Sequence, residues 1–246
     1  MNKNLISILT PTHNRGQNYL PQLIISVMAQ KEAGFEHEHI IVDNLSTDNT
    51  EKIVREFAAK DKRIKYIKNN RNLGAADGLN VAFKKAKGDL IVPIDDDDML
   101  PLSSLQYRFN FFNADKKVKW AYGQSIFIDP DNKVEFPLRE YNVPYIKMKN
   151  GVVDLLKGCF IPNGTVTIKR EEVERAGKWD PEIKTQDYDL WLRLAANKVK
   201  PYKMDSYLCL YRIHPKQSSK AQQGDGTYRN EREYYLNRHA KDAKYL

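Results

Sequence analysis

Four consecutive carboxylates, Asp95-Asp96-Asp97-Asp98, close the apolar run Leu90-Ile91-Val92-Pro93-Ile94. Like charges held this close repel one another unless a cation or a set of hydrogen-bond donors neutralises them. In an extended segment alternate side chains share a face, so Asp95 and Asp97 can point together at a hard divalent ion. Such an ion keeps some of its waters and also binds phosphate oxygens. The alternative is a solvated acidic turn ahead of a helix starting near Pro101. Four carboxylates directly after a buried strand weigh against it.

Other acidic motifs fail on their own spacing. An EF-hand loop opening at Asp95 needs glycine at its sixth position and an acid at its twelfth, but these are Leu100 and Gln106. A P-loop ATPase needs Gly-x-x-x-x-Gly-Lys-Ser/Thr, and the chain's Gly177-Lys178 precedes a tryptophan. The aspartyl-phosphatase pattern meets Met99 where Thr or Val belongs and would lie on a first strand, not a fourth.

The acidic run needs a scaffold, and the first hundred residues provide an alternating one. Leu5–Thr10 reads as a buried strand halted by Pro11, and His39–Asp43 and Ile64–Ile67 repeat the form. Asp89–Ile94 is the fourth strand. Between them fall helical patterns at Tyr19–Gln30, after Ser46-Thr47-Asp48-Asn49-Thr50, and at Ala75–Ala86, which Gly88 ends. This alternation predicts a mostly parallel sheet with helices on both faces and a ligand outside the carboxyl ends of its strands. Further on, a strand at Trp120–Ile128, an extended segment at Val134–Tyr145, a helix from Asp187 to Asn197 and a strand at Tyr207–Ile213 are expected. Residues 1–214 should form one domain, with a nucleotide-binding half (1–100) and an acceptor half (101–214). Residues 215–246 should add a mobile loop and a charged helical tail.

The 246 residues, 41% of them hydrophobic and 29% charged, can bury a sizeable core and are far from a disordered composition. The longest stretch free of Asp, Glu, Lys and Arg, Gly16 to Gln30, is too short and polar to span a bilayer. With only a few apolar residues before Pro11, a secretory leader is not expected, and the expected location is cytoplasmic. Cys159 and Cys209 lack zinc or disulfide spacing and read as small buried hydrophobes. Forty basic against 32 acidic side chains leave a net charge of +8, which suits an anionic partner.

Five motifs in order, Ser7 to Arg15 (Ser-Ile-Leu-Thr-Pro-Thr-His-Asn-Arg), Ile41 to Asp48, Asn72-Leu73-Gly74, Asp95 to Asp98 and Gln186 to Trp191, closely resemble the family 2 glycosyltransferases over residues 5 to about 214. The resemblance implies the single-domain α/β fold called GT-A and transfer of a sugar, with inversion, from a nucleotide diphosphate. It implies that Thr10, Pro11 and Thr12 line the base and ribose, that Asp43 and Asn44 meet the edge of the base, and that Asn14, Asn72 and Gly74 belong to the same nucleotide-sugar site. Asp95 and Asp96 would take ribose and diphosphate, and Asp95, Asp97 and Asp98 would hold Mn2+ or Mg2+. Arg15 and Arg212 would neutralise the diphosphate. His214, in Tyr211-Arg212-Ile213-His214, would reach phosphate or metal, or be a surface histidine beside Pro215. Asp187 matches the acceptor-motif carboxylate and would be the base, with Asp189 in reserve and a plain helix cap as the alternative.

The chain departs from the family pattern at Asp43-Asn44, where a second Asp is frequent, at Asp77-Gly78, where Arg-Asn is common, and at Gln186-Asp187, where Glu-Asp is usual. The expected activity is therefore metal-dependent glycosyl transfer in surface polysaccharide or glycolipid assembly. The donor is a nucleotide sugar, a UDP-sugar favoured, and the acceptor a saccharide or lipid-linked saccharide. A phosphohydrolase or nucleotidyltransferase is the first rival. A nucleic-acid-binding module, suggested by Lys60-Asp61-Lys62-Arg63-Ile64-Lys65, Lys68 and Arg71, is the second; no nucleic-acid partner is expected. The tail from Tyr228 to Leu246, with Arg229, Arg232, Arg238, Lys241 and Lys244 among Tyr234, Tyr235, Leu236 and Tyr245, is a candidate for peripheral contact with an anionic membrane, with a helix packed on the domain or on a dimer partner as the equal alternative. Oligomeric state stays open.

Overall fold

The computed structural model describes residues 2–135, 152–156, 158, 161–218 and 226–238. Strands β1 (Asn2–Thr12), β2 (Glu36–Asp43), β3 (Ile64–Lys68), β4 (Gly88–Pro93), β5 (Trp120–Ile128), β6 (Val166–Lys169) and β7 (Pro201–Arg212) form one seven-stranded sheet in the order β3-β2-β1-β4-β6-β5-β7. β6 runs antiparallel to β4 and β5, and every other described pairing is parallel. Helices α1 (Leu20–Met28), α2 (Thr50–Lys60), α3 (Gly74–Lys85), α4 (Ser104–Ala114), α5 (Val152–Leu156), α6 (Arg170–Arg175), α7 (Gln186–Ala196) and α8 (Thr227–Arg238) complete it.

Strand side chains alternate between two cores, one on each face of the sheet. Leu9, Ile40, Val42 and Ile91 pack with Leu79, Ala82 and Phe83 of α3 and Leu190, Trp191 and Leu194 of α7. Ile8, Ile41, Leu90 and Val92 face the other way, against Leu20, Leu23, Ile24 and Val27 of α1 and Leu105 and Phe112 of α4. The α1 stripe has the spacing of a helix buried on one side, and Pro21 sits in its first turn, where no backbone donor is lost. Trp120 stacks on Trp191 with ring centroids 5.8 Å apart, joining β5 to α7.

Pro11 does not halt β1, which continues to Thr12. The Leu9 carbonyl accepts from Ile94 on the β4 side and the Thr12 carbonyl from Asn44 on the β2 side. Alternation therefore turns Pro11 toward β4, whose pairing with β1 ends at Leu9–Pro93, so its missing N–H breaks no rung. β2 begins earlier than expected because its polar residues find partners: His37 meets Glu32, and Glu38 accepts from Ser7 and Lys65. β6, α5 and α6 were not foreseen. Val134 bridges to Ile128, while 136–145 of the expected extended segment, Cys159, 219–225 of the expected mobile loop, and 239–246 of the tail lie outside the described residues. Among the described residues no helix is long and apolar enough to cross a membrane.

Because β1, β2, β4 and β7 are parallel, Thr12, Asp43, Pro93 and Arg212 all end at one edge of the sheet. The start of antiparallel β6 and the first turn of α7, the helix that leads back to β7, lie at that same edge. Strand order reverses between β1 and β4, the switch point where α/β sheets bind ligands.

Candidate active site

Thr12 and Asp96 span the switch point, the threonine hydroxyl donating to Asp96 Oδ2 at 2.7 Å. Arg15 Nε lies 3.5 Å from Asp96 Oδ1 and keeps 21% of its side chain exposed. Asp95 accepts from Asn163 Nδ2 at 3.1 Å. Asp97 Oδ2 lies 2.9 Å from His214 Nε2. Burial, then Asp97 and Asp187, push the Asp95 carboxyl up to about 8. Burial and Asp97 likewise raise Asp96 to about 7, against the opposing pull of Arg15 and Thr12. The repulsion read in the sequence is thus present, and it favours a cation.

Asp98 points the other way. It is 1% exposed and accepts from the Arg212 N–H at 2.9 Å and from the Cys209 thiol at 3.5 Å. Burial raises its pKa well above the carboxylate range. This corrects its expected place among metal ligands: its carboxyl ties β4 to β7 from inside the core. Arg212 is corrected for a similar reason. Its guanidinium is buried over the Tyr19 ring and donates to the carbonyls of Asp97 and Asp129, to Asn132 Oδ1 and to Gln22 Oε1. With those donors spent inside the protein, it braces the acidic run from behind and does not face a diphosphate. His214 is 3% exposed, held between Asp97 and the Tyr19 ring, and is not a surface residue.

The expected base-binding residues form a floor. Thr10 is buried with its hydroxyl 3.0 Å from His39 Nε2, so its side chain is engaged within the sheet. Asp43 is fully buried and accepts from the Ser46 N–H and the Tyr66 hydroxyl. Asn44 donates to the Gly74 carbonyl at 2.9 Å and accepts from Asn69 Nδ2 at 2.9 Å. Asn72 Oδ1 accepts from the Gly74 N–H, opening α3. A Cβ on Gly78 would lie 2.7 Å from Pro11 Cβ, so the missing side chain lets α3 settle on this floor. Asn14, in the left-handed region with φ 55°, accepts from Thr47 N–H and stays near the opening. Asp48 accepts from the Thr50 N–H and hydroxyl, one residue ahead of the N-cap Asn49 of α2.

Asp187 stands half-buried in the first turn of α7, accepting from the Tyr188 N–H at 2.8 Å. Burial raises its pKa, and its charge is one of those raising Asp95, so the two carboxylates are near enough to interact. Asp189 is fully buried and paired with Arg193 at 2.7 Å, a structural carboxylate.

Two site residues escaped the sequence reading. Asn163 is 3% exposed, and among the described residues its Oδ1 has no hydrogen-bond partner, while its Nδ2 donates to Asp95. Arg108, fully buried, donates to the carbonyls of Gly164, Val166 and Leu208 and to Thr167 Oγ1, fastening the Asn163–Thr165 turn. Burial without a carboxylate lowers its pKa to about 9. The Asn-Gly pair at 163–164 was the available signal. A Cβ on Gly164 would meet Cys209 Sγ at 2.6 Å.

Among the described residues no group of three His, Cys, Asp or Glu side chains could by itself hold a metal. Asp97 and His214, 2.9 Å apart, are the nearest such pair in the acidic run, and Asp95 lies two residues before Asp97. Of the basic residues that suggested nucleic acid, three are in ion pairs: Arg63 with Asp61, Lys65 with Glu38 and Lys68 with Glu51.

Residues 7–173 match the family described as Glycosyl transferase family 2. An uncharacterized glycosyltransferase of Methanocaldococcus jannaschii is 30% identical over 213 residues, covering 87% of this chain and 72% of the relative. The Escherichia coli UDP-Glc:alpha-D-GlcNAc-diphosphoundecaprenol beta-1,3-glucosyltransferase WfaP is 30% identical over 210 residues, covering 85% and 78%. In three dimensions the chain is similar to a Pyrobaculum calidifontis mannosyltransferase solved with GDP-Man and Mn2+, with a TM-score of 0.69 at 18% identity, over 95% of this chain and 64% of that one. A mixed seven-stranded sheet with Thr12, Asp95–Asp97 and His214 at one edge, together with these matches, places the chain in the family 2 glycosyltransferases, on the GT-A fold.

Proposed function

We propose that this chain transfers a hexosyl group, with inversion, from a nucleoside diphosphate sugar to a hydroxyl of a saccharide or lipid-linked saccharide. A UDP-sugar is the favoured donor. The observation that carries the proposal is the meeting of Asp97 and His214, 2.9 Å apart, beside Asp95 and within the field of Asp187. Thr12 and Asp96 meet the ribose side of the donor, and Arg15, with its side chain partly free, meets the diphosphate. Asp97 and His214 would hold Mn2+ or Mg2+, which when bound offsets charge developing on the leaving diphosphate. Asn163 Oδ1 is placed to accept from a sugar hydroxyl. Asp187 takes the proton of the acceptor hydroxyl, and burial, by raising its pKa, strengthens it as a proton acceptor. A lipid-linked acceptor puts the reaction at a membrane, and the net charge of +8 favours peripheral docking on an anionic cytoplasmic leaflet.

A panel of UDP, GDP and CMP, each with and without Mn2+, tests the donor assignment by thermal shift. A ligand at about 100 times its Kd stabilises by about 2.7 kcal/mol. UDP with Mn2+ should stabilise the parent and not Asp97→Asn. Equal stabilisation with chelator present would overturn the metal assignment. UDP-glucose with GlcNAc-diphosphoundecaprenol, the pair in the E. coli relative's name, is the first pair to try for transfer.

A further inference from the structure

The segment leading into α7 is held from outside its own sequence. Thr185 is of the type that caps a helix with its own hydroxyl, yet it makes no such bond within α7. Its hydroxyl instead donates to Glu231 Oε2 and lies 2.9 Å from the Tyr235 hydroxyl, both on α8. The same Glu231 carboxylate accepts the backbone N–H of Lys184 at 2.8 Å and of Thr185 at 3.0 Å. Three donors on the approach to α7 therefore converge on one side chain of α8. Tyr235 is 1% exposed and meets the Tyr188 ring edge-on at 4.9 Å, while the Tyr188 hydroxyl donates to the Leu155 carbonyl. Asp187 lies between these anchored residues, Thr185 and Tyr188, and has little freedom apart from them.

We propose that Glu231 and Tyr235 are positioning residues for the transfer reaction: α8 clamps the first turn of α7 and so holds the Asp187 carboxylate toward the acceptor. The proposal rests on the reading of Asp187 as the base. It also gives the charged tail helix a function that its composition did not suggest. Glu231 and Tyr235 are four residues apart and so share the face of α8 turned to α7. The clamp acts on the step in which the proton moves, and misplacing a reacting group by about 1 Å can cost about 10²-fold in rate.

A double-mutant cycle on the full chain tests this, with UDP-glucose, Mn2+ and GlcNAc-diphosphoundecaprenol for turnover and UDP with Mn2+ for binding. Glu231→Gln keeps the size but can no longer accept at both positions. It should lower kcat by about tenfold, leaving UDP affinity and acceptor KM within about twofold. Tyr235→Phe removes one oxygen, keeps the packing and should lower kcat by about threefold, so the proposal stays testable if Glu231→Gln folds poorly. In an Asp187→Asn background Glu231→Gln should cost nothing further, because the clamp then has no base to position. Two results overturn the clamp: kcat of both α8 variants within about 1.5-fold of the parent, or equal losses with and without Asp187. If Asp187→Asn alone stays within about threefold of the parent, the base assignment fails on its own, and the clamp falls with it.

Discussion

His39 should make the protein measurably acid-sensitive. It lies in β2, fully buried, with Nε2 on the Thr10 hydroxyl and Nδ1 without a partner among the described residues. Burial, reinforced by His37, lowers its pKa from 6.5 to about 3. The folded form therefore stays neutral where the unfolded chain, with an ordinary histidine, takes up a proton. Below pH 6.5 the unfolded state binds more protons, and stability falls as the pH drops, by about 1.4 kcal/mol per unit, until the folded imidazole titrates near 3. At pH 5 the loss from this residue is about 2 kcal/mol. Asp95 and Asp96 work in the opposite sense, since their raised values make the folded form bind protons first and gain stability as the pH falls from about 8 toward 4. The raw pH dependence therefore mixes signs, and the measurement must be a difference. His39→Gln can still bond Thr10 but does not titrate. Urea unfolding at pH 7 and pH 5 should show the parent losing about 2 kcal/mol more than the variant, a midpoint difference of about 0.7 M at a slope near 3 kcal/mol/M. Equal losses in the two proteins would refute the neutral buried imidazole.

Asp187→Asn should keep its helix and its UDP-Mn2+ binding while losing roughly 10² to 10⁴ in transfer rate, measured by product formation. Asp98→Asn, in contrast with Asp97→Asn, should retain Mn2+-dependent stabilisation by UDP in the thermal-shift assay, because the Asp98 carboxyl faces Cys209 and the Arg212 amide. Gly78→Ala drives a methyl group to 2.7 Å from Pro11 Cβ and should cost about 1–3 kcal/mol in urea unfolding, with weakened UDP binding since that floor carries Asn44.

Which parts of this site were legible in the sequence follows from what a one-dimensional pattern can carry. Apolar runs ending in acids disclosed β4 and its carboxylates, but the alternation argument assumed an extended run, whereas Asp95–Asp98 is a turn in which the Asp98 N–H donates to the Asp95 carbonyl. The direction of Asp98 and Arg212 was not legible, because it depends on β7 lying across β5 and β6 from β4, a long-range pairing with no local mark. β6 is only four residues long, Val166–Lys169, and its neighbours Asn163 and Arg108 matter only through it. Thr10 pointed inward because His39, 29 residues away, offered a buried partner. The tail is the instructive case. Its basic residues and tyrosines suggested a membrane-facing surface, yet Tyr235 is buried and Glu231 is bonded to the entry of α7. Thr227, Glu231 and Tyr235 recur every four residues, the spacing of one helix face. That face holds an acid and a hydroxyl at each end, the groups needed to receive an N–H and a hydroxyl and unsuited to acyl chains. Charge counted along the whole segment hid this, since Arg238 lies on the exposed remainder of the same helix. A helix is assigned by the chemistry of the face it buries, and for α8 that face is addressed to Thr185.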